Sequence, residues 1–266
     1  MTTPNVVGRY FDVQGGQVYA HVREGDGPAL VFLHYWGGSR RTWIPVLQRL
    51  GPERAFVAYD QRGWGDSVAV PGPYGIEQLA DDAQKVIDGL GYTNYVLVGH
   101  SMGGKVTQTL AARRPSGLRG AVLVAPAPPA PVGVTAQLQQ LTSHAYDSED
   151  TVHESIDLML THGGLTPELR QQVVEDSLRA GDEARLAWPR HGLVQDVSPG
   201  VGNIDVPVLV LAGSHDKVDP VAVLTDHLLP LIPTASMSVL DGTGHLSPLE
   251  VPDRVATHIN KFIAQL

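Results

Sequence analysis

A serine framed by glycines in the stretch "YVLVGHSMGGKV", residues 95–106, is the first group in this chain whose setting suggests chemistry. A hydroxyl becomes an effective nucleophile when a sharp strand-to-helix turn holds its oxygen clear of the sheet. Such a turn needs small residues two before and two after the serine, and Gly99 and Gly103 stand there. The turn also puts the amide of Met102 at the start of a helix, where unpaired N–H groups and the helix dipole favour negative charge. With 29 glycines in the chain, a GxSxG match alone is weak. The apolar run before it and the helical pattern after it are what make Ser101 a candidate nucleophile.

A serine needs a base to take its proton and an acid to orient that base. "LVLAGSHDKVDP" closes a later apolar run and offers Asp216 and Asp219, and "VLDGTGHLSPLE" follows the next run and offers His245. Ser101, Asp216, His245 is the nucleophile, acid, base order that a strand–elbow–helix architecture uses. Asp219 directly precedes Pro220 and a helical pattern, so an N-cap role accounts for it. That leaves Asp216 as the acid. His245 is one of eleven histidines, and only its place after the last strand, in "GTGH", singles it out.

Short apolar runs alternating with helical patterns must carry these groups. "RYFDV" and "QVYAHV", separated by Gln14-Gly15-Gly16, read as a hairpin with Val18, Ala20 and Val22 on one face. The stretches 29–34, 55–60, 95–100, 120–125, 206–213 and 235–240 are mostly continuous apolar runs, as strands buried on both faces are. Helical patterns span Thr42 to Leu50, Ile76 to Leu90, Met102 to Arg114, Pro220 to Leu229 and Pro252 to Leu266. This alternation predicts an α/β fold, a mostly parallel eight-stranded sheet with helices on both faces. One stretch breaks the rhythm. From Ala127 to about Asn203, after the proline-rich "APAPPAPVG", there are only helical patterns, one of them opened by Thr166-Pro167-Glu168. The expected organisation is a core of 1–126 and 204–266 with a small helical cap at 127–203.

Composition narrows the function classes. Of the 266 residues 42% are hydrophobic and 18% charged, enough for one sizeable core. A formal net charge of −9 with no basic cluster argues against nucleic acid as a partner. The absence of cysteine excludes disulfides and thiolate chemistry. "MTTPNVVGRYFDV" is not a leader sequence, and no run is long enough to span a bilayer, so a cytoplasmic protein that is not a membrane partner is expected. His144, His153, His162 and His191 share no metal-ligand spacing, and no metal is expected.

Taken together, "GHSMGG", "GSHDKVDP", "GTGHLSPLE" and "DQRGWGDS" resemble the α/β-hydrolase superfamily over nearly the whole chain, near its microbial serine esterases, lactonases and cofactor-free haloperoxidase-like perhydrolases. The likeness implies a cap inserted after the sixth strand and no cofactor. It also implies that "FLHYWGGS" is the oxyanion loop, with the Trp36 amide joining that of Met102. His34 then holds the loop, and Asp60 and Arg62 are structural. Tyr35 stands where the family usually has glycine, restricting the backbone, and is expected to line the substrate pocket as a wall, the alternative being that its hydroxyl donates a hydrogen bond to the leaving group or carbonyl oxygen. "VAPAP" after the sixth strand lacks the carboxylate that some relatives use there, which strengthens Asp216. The implied activity is hydrolysis of a small neutral ester or lactone through an acyl-enzyme, by a monomer or homodimer. Perhydrolysis with the same residues, carbon–carbon hydrolysis and slow-turnover, receptor-like ligand binding are the alternatives.

Overall fold

The continuous apolar runs fold as strands because the sheet they form is covered on both faces. The computed structural model describes residues 5–266, so the first four residues of the N-terminus read above lie outside the described residues. Its strands are β1 (Val7–Val13), β2 (Gly16–Arg23), β3 (Asp26–Leu33), β4 (Arg54–Tyr59), β5 (Tyr95–His100), β6 (Leu118–Val124), β7 (Val208–Gly213) and β8 (Ala235–Leu240). They make one sheet in the order β1-β2-β4-β3-β5-β6-β7-β8. The β1–β2 hairpin is the antiparallel edge, and every pair from β4 to β8 is parallel.

Alternation along the strands sorts side chains into two cores. Val31, Leu33, Val57, Leu97, Leu123 and Val210 meet the helices Ile76–Leu90 and Met102–Ala112, through residues such as Leu79, Val86, Val106 and Leu110. Leu30, Phe32, Phe56, Val98, Val122 and Leu211 meet Trp43, Leu47 and the helix Pro252–Ile263. The helix expected over Thr42 to Leu50 is instead a 3₁₀ turn at Arg40–Trp43 and a single α-turn at Ile44–Leu47. Pro45 supplies the reason, since it has no N–H to continue the preceding turn.

Between β6 and β7 lies a run of helical segments: Ala136–Ser143, Glu149–Ser155, Pro167–Leu178, Asp182–Ala187 and Ser198–Val201. Thr166 caps the third through Leu169 N, with Pro167 at its first turn. Two of the segments widen at their ends into π turns, where Thr161 N bonds Ile156 O and Leu193 N bonds Trp188 O. No helix among the described residues is long and apolar enough to cross a membrane.

Register decides where the chemistry collects. Leu33 pairs with Gly99, His100 with Val124 and Gly213 with Leu240, so the carboxyl ends of β3, β5, β6, β7 and β8 form one edge. The loops leaving that edge carry Trp36, Ser101, Asp216 and His245. Open parallel sheets offer their ligand crevice at this edge.

Candidate active site

Ser101 occupies the one-residue gap between β5 and the helix Met102–Ala112, at φ 53° and ψ −113°. A non-glycine residue there stores about 1–3 kcal/mol of strain, which the surroundings must hold in place. They do so by close approach. A Cβ at Gly99 would stand 2.3 Å from Gly103 O, and one at Gly103 would stand 2.5 Å from Leu33 O. Ser101 N bonds Val124 O at 3.1 Å, and Ser101 O accepts from Ala127 N at 3.2 Å. Gly103→Ala is therefore expected to destabilise the fold by roughly 3 kcal/mol, the upper end of overpacking, read as a fall in the urea midpoint. An unchanged midpoint would mean that the helix start yields freely and that the glycine is not required.

Asp216 and His245 leave different strands and meet. His245 Nδ1–H donates to Asp216 Oδ2 at 2.8 Å, while Asp216 Oδ1 accepts from the backbone N–H of Val218 at 2.8 Å and of Asp219 at 3.0 Å. Three donors fix the carboxylate, the carboxylate fixes the imidazole tautomer, and Nε2 is left as the acceptor. Burial works against a charged imidazole here. The Asp216 carboxylate, through its charge and its hydrogen bond, and Asp219 and Glu250 behind it outweigh that effect, so the His245 pKa lies above its ordinary value.

His100, the residue before Ser101, ties the base loop to the elbow. Its Nε2–H donates to His245 O at 2.9 Å, and its ring lies 5.0 Å from the Tyr35 ring and 5.3 Å from the His245 ring. Burial, with His245 and His34 nearby, drives its pKa well down, so it remains a neutral brace. It stood inside the quoted motif, but an apolar run reads the same whether or not it ends on histidine.

In the loop after β3, His34 uses both ring nitrogens. Nδ1–H donates to Tyr35 O at 2.7 Å and Nε2 accepts from Gln61 N at 3.0 Å. Burial lowers its pKa to about 4, which keeps it neutral and structural as expected. For Tyr35 the expected restriction of the backbone is corrected. The left-handed residue of this loop is Gly37, at φ 92°, so a side chain at 35 costs no backbone strain. The Tyr35 ring is buried, as Ser101 and His245 are. It packs against Gly38, Thr42 and His100, bracing the loop from inside, and is 2% exposed.

The expected capping role of Asp219 is also corrected. Pro220 occupies the N-cap of the helix Val221–His227 without a side-chain bond, and the Asp219 carboxylate accepts no hydrogen bond among the described residues. Asp216 captures the Asp219 N–H, and the side chain is buried; burial, with Asp216 adding to it against His245 and Lys105, pushes its carboxyl up to about 8. Lys105, one turn beyond Ser101, is a buried ammonium that no sequence signal revealed. It donates to Gly192 O at 3.3 Å and lies 6.0 Å from the Trp188 ring; burial lowers its pKa to about 8, against Asp219 and Asp196. Asp60 and Arg62 are structural: Asp60 binds Arg40 and the N–H of Asp66, and Arg62 makes a bidentate pair with Asp82. Of the histidines between β6 and β7, His144 pairs with Asp147, His153 meets Arg170, His162 stacks on His215, and His191 is exposed. Leu158 and Met159, in the same segment, are exposed.

This arrangement has clear relatives. A model of the alpha/beta hydrolase family matches residues 30–258, and the chain belongs to that family. It is 28% identical over 242 residues to 3-oxoadipate enol-lactonase 2 of Acinetobacter baylyi, covering 88% of each chain. It is 28% identical to a non-heme haloperoxidase of Rhodococcus erythropolis, covering 90% of this chain and 93% of that one. Carboxylesterase CesB of Bacillus subtilis superposes with a TM-score of 0.86 at 22% identity, covering 99% of this chain and 94% of that structure, a likeness of fold.

Proposed function

We propose that the protein hydrolyses a neutral carboxylic ester or lactone through an acyl-enzyme. Ser101 attacks the carbonyl, and His245 takes its proton through Nε2 and returns it to the leaving alcohol. Asp216 orients the imidazole, and the amides of Trp36 and Met102 hold the oxyanion. The observation that carries this reading is the 2.8 Å His245–Asp216 bond in a fold that also holds Ser101 in a strained elbow. The enol-lactonase relative supports the lactone limb, and the haloperoxidase relative supplies the competing reading, with peroxide as acceptor.

Turnover of p-nitrophenyl esters and simple lactones, with and without peroxide, tests it. Multiple turnovers without peroxide are expected. Activity only with peroxide would replace the proposal by perhydrolysis, and stoichiometric acylation without turnover would replace it by ligand binding. A base must be neutral to act, so activity should vanish in acid and rise with pH. Because the carboxylate beside it raises the His245 pKa, the rise should be centred above about 6.5, the ordinary histidine value. A kcat/KM profile already flat below that pH would contradict a histidine base paired with Asp216.

A further inference from the structure

The peptide that presents the Trp36 N–H is held from inside the core, whereas the two peptides that follow it are held from the segment between β6 and β7. A peptide unit is planar, so the direction of an N–H is set by whatever holds the carbonyl of the preceding residue. Tyr35 O, in the plane of the Trp36 N–H, is fixed by His34 Nδ1–H and by Gly38 N at 3.1 Å. Trp36 O accepts from the Tyr146 hydroxyl at 3.2 Å, and Gly37 O accepts from the Ser177 hydroxyl at 3.0 Å. These acceptors flank Gly37, the left-handed glycine of the loop.

The remaining contacts of the loop point the same way. The Trp36 indole stacks on the Tyr146 ring at 4.1 Å and 26°, and its Nε1–H donates to Arg185 O at 2.8 Å. Ser39 Oγ donates to Asp176 Oδ2 at 2.9 Å. Tyr146, Asp176 and Ser177 are all buried, at 3%, 4% and 0% exposure, so these bonds do not compete with solvent. A Cβ at Gly37 would lie 2.4 Å from Tyr146 Cε2, so the ring closes directly over the glycine.

We propose that Tyr146 and Ser177 are positioning residues for the oxyanion amide of Trp36, locking the two peptide planes after it, the second of which carries the Gly38 N–H that holds Tyr35 O, so that the loop cannot rotate about Gly37. The proposal rests on the acyl-enzyme reading above. Neither residue touches the reacting atoms. Both act through the backbone, and they make the hole complete only while the helices between β6 and β7 are docked on the loop.

Tyr146→Phe removes one oxygen and keeps the ring stack, and Ser177→Ala removes the other donor. Removing an oxyanion donor outright costs about 10²–10³ in kcat, so releasing its backbone should cost part of that, about tenfold for each variant. Rates are expressed per active site titrated with a fluorophosphonate to end point, so loss of folded protein does not enter. The expected result is a fall in kcat with KM within about twofold, accompanied by an equal loss of affinity for an alkyl boronic acid, whose tetrahedral adduct uses the hole. Affinity for the product acid, measured as competitive inhibition, should not change. A purely structural role would lower the melting temperature while leaving kcat per titrated site and boronate affinity unchanged, and that result overturns the proposal. A raised KM with kcat intact also overturns it, by assigning the residues to substrate binding. If Ser177→Ala does not fold, Tyr146→Phe decides alone. Full activity in Ser101→Ala would instead remove the acyl-enzyme reading itself, an outcome distinct from either.

Discussion

Ser101→Ala is expected to lower kcat for a nitrophenyl ester by about 10⁵–10⁶-fold, the scale seen when a triad serine is removed. Alanine keeps a Cβ at φ 53°, so the elbow keeps its strain and its packing on Leu33 O, and the fold is unchanged. Only the hydroxyl is lost. Ser101→Gly separates strain from chemistry, because glycine tolerates that backbone. It should be equally inactive but more stable than Ser101→Ala by about 1 kcal/mol, the cost assigned to holding a side chain in so sparsely populated a region. Urea melts of the two variants and a fluorophosphonate mass shift confined to the wild-type peptide containing Ser101 provide the checks. Activity in Ser101→Ala within a hundredfold of wild type would place the nucleophile elsewhere.

The parts of this site that local rules govern were legible in the sequence. Runs such as "YVLVGH" and "VLVLAG" announce strands covered on both faces because each alternate side chain finds a core, and strand ends followed by Gly-flanked Ser, Asp and His mark the loops of one edge. Asp216 and His245, 29 residues apart, could be set beside each other from strand order alone. What escaped depends on contacts between distant segments. Tyr146 and Ser177 reach Trp36 and Gly37 across 110 and 140 residues, and Asp176 reaches Ser39 across 137. In a helical pattern of polar and apolar residues nothing distinguishes a buried serine that serves a carbonyl from one that faces water. Tyr35 was misread as restricting the loop for a related reason: the motif does not show which of its residues takes the left-handed conformation, and here that residue is Gly37. Asp219 was misread because a carboxylate before a proline has a ready local use. Here the stronger attraction is the Asp216 carboxylate, which binds the backbone N–H of residue 219 and leaves the side chain to be buried without a hydrogen bond.

The two aspartates therefore differ in what an amide does to them. Asp216→Asn should lower kcat by about 10⁴-fold, the loss seen when an orienting carboxylate becomes an amide. Asp216 Oδ1 receives two backbone N–H groups, so the single amide oxygen will be held there and the NH₂ will face His245 Nδ1. Nδ1 must then accept, which moves the imidazole proton to Nε2, and an Nε2–H cannot take the proton of Ser101. The same change removes the charge that raises the His245 pKa, so whatever activity survives should rise with pH at a lower midpoint than in the wild type. Asp219→Asn is the contrast. Burial has pushed the Asp219 carboxyl up, and it accepts no hydrogen bond among the described residues, so an asparagine reproduces its shape and breaks no contact. Its kcat should change by less than about threefold, under 1 kcal/mol in the barrier. Burst and steady-state kinetics on both variants compare them directly. If Asp219→Asn proves the more damaging, the carboxylate that orients His245 during turnover is not the one hydrogen-bonded to it at rest, and the acid of the triad must be reassigned.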